Sequence, residues 1–350
     1  MSIANPSLRR SLWWKKQPYK GVLFIGLILV VSLLFELIFG QIFQLDVQSK
    51  LIYITICFVW WWHLGFSLNG YPGDRFSSSR FGRGTINLTV LFVLVYITGE
   101  AWKFIAAKPT LADTSVGLWG QTAIIAAAAS LFFFDNTIVA SKHLRDWHPV
   151  SGFLNIFFAV FLVAPALTFL PQMWGLEPFY IPWYWYPVST VFGSFFERYP
   201  LNKLDLEMPR LGLLHTGVVL LLTLIMALLL RQAGMDLFTT TTGPTFAAIW
   251  TTVGLGILWQ FNMWPFARLS QPTKGIITST VSLLVSIVLY AATVLIFGQE
   301  NIVQGLYWWF NLLWVQVFLM APGLYDGLNL WQEEPRLIER QPIGLNSETR

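Results

Sequence analysis

One cysteine in 350 residues, Cys57, excludes an internal disulfide, a cysteine-based zinc site and an iron–sulfur cluster held by this chain alone. Charge is also scarce. Lys, Arg, Asp and Glu make up 11% of the chain, against about a quarter in soluble domains. So few charges cannot cover a globular surface, so the solvent of this chain is largely lipid. Also missing are the His-rich boxes of membrane di-iron oxygenases, the paired Asp-rich motif of prenyl transfer, a G-x-S-x-G elbow and a P-loop. The net charge of +4 is spread over short loops between apolar runs, which argues against nucleic acid as a partner.

Long apolar runs and aromatic residues are abundant. Hydrophobic residues reach 55% and aromatics 17%, including 18 Trp, the side chains that anchor at both membrane interfaces. The first run begins near Val22 behind the basic "SLRRSLWWKK". It is too long for a signal-peptide core and no small-x-small cleavage pattern comes after it, so it reads as a retained membrane span.

A punctuation mark recurs along the chain. A glycine that closes a short basic loop and opens an apolar run appears at Gly21, Gly84, Gly152, Gly212 and Gly275, at intervals of 63, 68, 60 and 63 residues. Four of these glycines have a proline three positions earlier: Pro18, Pro149, Pro209 and Pro272. A second mark, aromatic-Pro-x-x-basic-apolar, stands at 71–76, 199–204 and 264–269. "RQPIG" at 340–344 reads as a further copy without its helix.

Each period is long enough for two spans of about 20 residues. The expected spans are 22–41, 50–69, 85–106, 117–140, 153–171, 184–198, 213–232, 244–263, 276–297 and 303–321. The reading is an all-α integral membrane protein with about ten transmembrane helices in five tandem two-helix repeats, approximately 18–72, 81–140, 149–200, 209–265 and 272–322. Residues 323–350 form a cytoplasmic tail. Eighteen of the 22 Lys and Arg fall in the termini and the motif-bearing loops, so the positive-inside rule puts both termini in the cytoplasm. The expected location is the plasma (inner) membrane.

Polar groups inside a membrane are costly and are therefore the functional candidates. Three residues before Pro72, Pro200 and Pro265 stand Asn69, Glu197 and Asn262. The corresponding place in the second unit falls at Thr137, beside Asp135 and Asn136. These form either a polar collar along a shared path or a set of helix caps. The sixth span is short and carries Pro178, Pro182 and Pro187, with Thr190, Ser194 and Glu197 spaced for one helical face. Thr252, Gly256 and Gln260 form a similar stripe in the eighth. Glu100 and Lys103 are expected to pair near the outer end of the third span, with Glu36 joining them. His63 and His215 lie in the cytoplasmic leaflet and are the candidate ligands for a haem, chlorophyll or other pigment. His143 and His148 read as a solvated loop.

The leading functional expectation is a multi-pass transporter or channel for a small solute, with Asp135, Glu197, Asn262, Gln260, Thr252, Thr190, Ser194 and Asn69 along its path. Glu197 is the candidate carboxylate for proton or cation coupling. The alternative is a non-catalytic membrane subunit of a larger redox, pigment-binding or monooxygenase-type complex, packing on other subunits or holding a quinone. A membrane-embedded lipid enzyme ranks third.

Overall fold

The computed structural model describes residues 17–64, 68, 71–106, 149–164, 181–206, 210–232 and 242–320. Among these, all regular structure is helical. In chain order it comprises α1 (Tyr19–Glu36), α2 (Val47–Trp62), the single turn α3 (Gly73–Phe76), α4 (Arg80–Ala106), α5 (Val150–Phe157), α6 (Ile181–Thr190), α7 (Arg210–Gln232), α8 (Thr242–Leu255), α9 (Thr273–Phe297) and α10 (Ile302–Met320). Among the described residues, four helical stretches are long and apolar enough to cross a membrane: Tyr19–Ile42, Phe81–Ala101, Thr273–Phe297 and Ile302–Leu319. By length and composition the chain is built as an integral membrane protein. The helix expected over 117–140 lies outside the described residues, as do Asp135, Asn69 and the 143–148 loop.

Helices divide into outer and inner by what they bury. Only 17% of the apolar window of α9 is buried, against 72% of that of α10. Outer helices turn aliphatic side chains outward: Val30, Leu33 and Leu37 at α1, Leu221, Leu224 and Leu228 on α7, Leu284, Val288 and Leu295 on α9. Their inward faces are small and polar, as on α9, where Lys274, Gly275, Thr278, Ser282, Ser286 and Thr293 are buried. That inversion of the soluble pattern is what a lipid solvent demands, because leucine gains nothing by leaving lipid for protein. On α1, α4, α5, α7 and α9 alike, the loop-closing glycine and the residues three and seven further on are buried.

The inner helices α2, α6, α8 and α10 pack side by side in the order α6–α8–α10–α2. Outer helices lie against them: α4 on α2, α7 on α6, and α9 on α8 and on the turn that ends α6. The first helix takes an equivalent place at the far end of the chain, with α1 on α10 and on the turn that ends α8. An aromatic seam closes that junction. Phe35 of α1 meets Trp314 of α10 edge-on at 4.4 Å, and Trp61 of α2 lies 4.3 Å from Phe318. Rings in such offset and edge geometries attract beyond their buried area.

Three of the inner helices, α2, α6 and α8, end in one recurring turn. The α-helix widens into a π turn, in which the N–H of Leu68, Phe196 or Phe261 donates to the carbonyl five residues back at 2.8, 3.0 and 3.1 Å. Each donor stands four residues before Pro72, Pro200 or Pro265. Two left-handed residues come next at two of these exits, Glu197 and Arg198 after α6, and Asn262 and Met263 after α8. Asn enters that conformation more readily than most residues, so the polar residue three positions before the proline has a backbone reason to be there. The π turn also inserts one residue, rotating the downstream residues by about 100° relative to an unbroken α-helix. The expected stripe Thr190–Ser194–Glu197 is therefore broken, and Glu197 leaves the helix face that carries Thr190. The sixth span, which the sequence pattern places over 184–198 among interrupting prolines, begins earlier: α6 starts at Ile181 and runs through Pro187.

The entry loops dock onto these exits. Gln17 donates from Nε2 to the Gln260 carbonyl at 2.9 Å and accepts the Gly21 N–H on Oε1 at 3.3 Å. Gln271 repeats this, donating to the Phe195 carbonyl at 2.8 Å and accepting the Gly275 N–H at 3.3 Å. A third contact joins Phe153, next to Gly152, to Tyr71, with ring centroids 6.1 Å apart. A Cβ on Gly275 would sit 2.5 Å from the Phe196 ring, and one on Gly21 the same distance from Phe261. Only glycine admits that ring. Gly275→Ala is therefore expected to lower stability in detergent by about 1–3 kcal/mol, and to cost far less in a Phe196→Ala background. Equal losses in the two backgrounds, measured by thermal unfolding, would contradict the ring contact.

Candidate functional site

Among the described residues, two polar clusters join the bundle's helices away from the exit turns. The first joins α1, α2 and α10. Lys50 Nζ is 2.7 Å from Glu36 Oε1, the Tyr307 hydroxyl donates to Glu36 Oε2, and Lys50 stands over the Tyr307 ring at 5.1 Å. One turn along α1, Asn311 Nδ2 donates to the Ser32 carbonyl at 3.1 Å. Glu36 reaches the start of α2, where the connection between α1 and α2 is short and Gly40 leaves room for the pair; the Lys103 side chain, expected near it with Glu100, lies outside the described residues. A Cβ on Gly40 would come within 3.0 Å of Glu36 Oε1 and 3.1 Å of Lys50 Nζ.

The second cluster joins α8 and α10 through two side-chain amides. Gln316 Nε2 donates to Gln260 Oε1 at 2.7 Å and to the Thr252 carbonyl at 3.2 Å. Gln260 is 0% exposed and Gln316 2%. Gln260 ends the π turn of α8, and the widened turn sets its side chain toward α10. The pair leaves the Gln260 amide nitrogen and the Gln316 carbonyl oxygen without a hydrogen bond. Buried polar atoms rarely go unpaired, and each such exception asks for a ligand, a water or a role. Gly256 faces the pair, since a Cβ there would lie 3.4 Å from Gln260 Oε1 and 3.8 Å from Gln316 Nε2. Thr252 on α8 and Gly256, four residues on at the start of the π turn, are both partly accessible. The amides thus sit just beneath an accessible strip of helix.

Of the residues singled out by sequence, Gln260 and Thr252 belong to the amide cluster, though the Thr252 hydroxyl donates to its own helix at the Ala248 carbonyl, 2.7 Å. The Thr190 hydroxyl does likewise to the Tyr186 carbonyl at 2.9 Å, and its methyl would lie 3.1 Å from a Cβ on Gly254 of α8. Ser194 is partly buried in the π turn after α6. Asn262 and Glu197 belong to the exit turns. Glu197 Oε1 is 2.5 Å from Lys274 Nζ, and Glu197 Oε2 accepts from Gln271 at 3.3 Å. His63 is buried where the π turn of α2 begins, its carbonyl accepting from Leu68. His215 is buried on α7, edge-on to Phe192 at 6.1 Å. Among the described residues no three His, Cys, Asp or Glu side chains are grouped to hold a metal.

Sequence reasoning passed over Gln316, Gln17, Gln271, Lys50 and Tyr307. The signal for Gln316 was present: one amide inside "LLWVQVFLM", where every neighbour is apolar. No family model matches the chain, and neither a curated protein nor a solved structure does.

Lys50→Met strands the Glu36 carboxylate at a half-buried site and is expected to cost about 3 kcal/mol. Adding Glu36→Leu should restore part of that loss, since removing both partners leaves no uncompensated charge. Chemical unfolding in mild detergent reads the difference, and an additive double variant would contradict the pairing.

Proposed function

We propose that the chain is a multi-pass transporter or channel for a small solute, with its path passing the Gln260–Gln316 pair. The carrying observation is that pair: two buried amides with one unmet donor and one unmet acceptor, beneath an accessible strip of α8. Polar groups left open inside a membrane bundle commonly mark substrate paths.

In this reading ten spans form five helix pairs, the inner helices making a closed ring and the outer helices bracing it. Three docking contacts support the closure. The entry loops at Gly275, Gly152 and Gly21 meet the exit turns at Phe196, Tyr71 and Phe261. If the pairs are numbered along the chain, each entry loop reaches the pair two places back, and the first pair reaches the fourth by wrapping around. Glu197 and Lys274 then hold a dock together, and transport does not depend on Glu197 changing its charge. Both termini and all docks lie on the cytoplasmic side.

Two measurements test this. Cysteines at Arg80 and Arg268, in a Cys57→Ser background, should both react with an impermeant reagent from the cytoplasmic side; labelling from opposite sides would end the ten-span layout. Reconstituted alone, the protein should raise vesicle permeability to at least one of urea, glycerol, K⁺ or H⁺, and Gly256→Leu should return it to that of empty vesicles. A protein indistinguishable from empty vesicles for all four, or a coloured one that purifies with stoichiometric partners, would replace transport by the subunit alternative.

A further inference from the structure

We infer that the solute is electrically neutral and carries both a hydrogen-bond donor and an acceptor. This rests on the transport reading and adds the chemistry of the ligand. The bonded groups around the two amides are one another and the Thr252 carbonyl, none of them charged. Still open are both N–H groups of the Gln260 amide and the carbonyl oxygen of Gln316. A ligand satisfies the two amides only if it accepts from the first and donates to the second. The Thr252 carbonyl fixes the Gln316 amide, because half a turn would set two carbonyl oxygens 3.2 Å apart, and the bond from Gln316 then fixes the Gln260 amide.

An ion fits this site poorly. Taking a charge out of water costs several kcal/mol unless an opposite charge or a full shell of dipoles replaces the water, and two amides supply neither. A neutral amide-like solute carries no charge to desolvate and regains at the pair part of the hydrogen bonding it gives up to water. Gly256 borders the bonded side of the pair, where a Cβ would lie in ordinary contact, 3.4 Å from Gln260 Oε1 and 3.8 Å from Gln316 Nε2.

The competing account is a structural water that satisfies both amides and does nothing else, a common device in buried polar sites. Gln260→Met with Gln316→Met separates the two. The pair is removed together with volume nearly kept, so folding is little disturbed. In vesicles, urea and formamide fluxes should fall by about tenfold or more in this variant, two hydrogen bonds being worth that much. Gly256→Leu should give the same loss with both amides in place. Urea flux unchanged in the double variant means a structural water and overturns the inference. A wild-type protein that passes K⁺ or H⁺ but neither urea nor formamide overturns it too, while leaving transport standing. Binding is read separately from flux. Urea should shift the Gln260 side-chain ¹⁵N resonance in the wild-type protein in bilayers. No shift, even at molar urea, rejects the site whatever the flux shows.

Discussion

Inside a bilayer the backbone must satisfy its own hydrogen bonds, and apolar contact alone cannot tell one helix neighbour from another. Specificity in this protein comes from the few places where a polar side chain reaches across to another helix's free carbonyl. The entry-loop glutamines are the clearest case. A π turn leaves carbonyls near the end of α6 and α8 outside the regular α-helical ladder, and Gln271 and Gln17 bind there. The adjoining glycine then seats an aromatic ring that no other residue would admit. Position, depth and partner of an outer helix all derive from that contact.

The same π turns reach the candidate site. In α8 the widened turn gives the Gln260 carbonyl to Gln17 and the Gln260 side chain to Gln316. One residue therefore couples the dock of α1 to the polar pair between α8 and α10. A displacement of the entry loop would be felt at the pair through the backbone of a single residue. The Glu36–Lys50–Tyr307 cluster performs a simpler task, tying α1 to α2 and α10.

Much of the helical layout is readable from the chain, because apolar run length and a proline–glycine punctuation are local signals. The buried register of the outer helices runs from the marker glycine. Gly21, Gly84, Gly152, Gly212 and Gly275 all face inward, and so does the third residue beyond each. The π turns are not readable, since widening a turn depends on what the free carbonyls meet across the bundle. That is why Glu197, placed by spacing on one face with Thr190, is found instead in a left-handed exit turn beside Lys274. The candidate site is half visible in the sequence. Gln260 and Thr252 stand out through their spacing, whereas Gln316 is one amide in an apolar run and acquires meaning only from the partner that packing gives it.

A closed ring requires the first entry loop to lie against the exit turn of α8, 243 residues separating Gln17 from Gln260. Cysteines in place of Gly21 and Phe261, with Cys57 replaced by serine, test this most directly. The account predicts rapid intramolecular cross-linking by a short thiol reagent in native membranes, seen as a band shift after cleavage within an intervening loop. Cleaved chains that separate completely, with both thiols shown to be reactive, would contradict it.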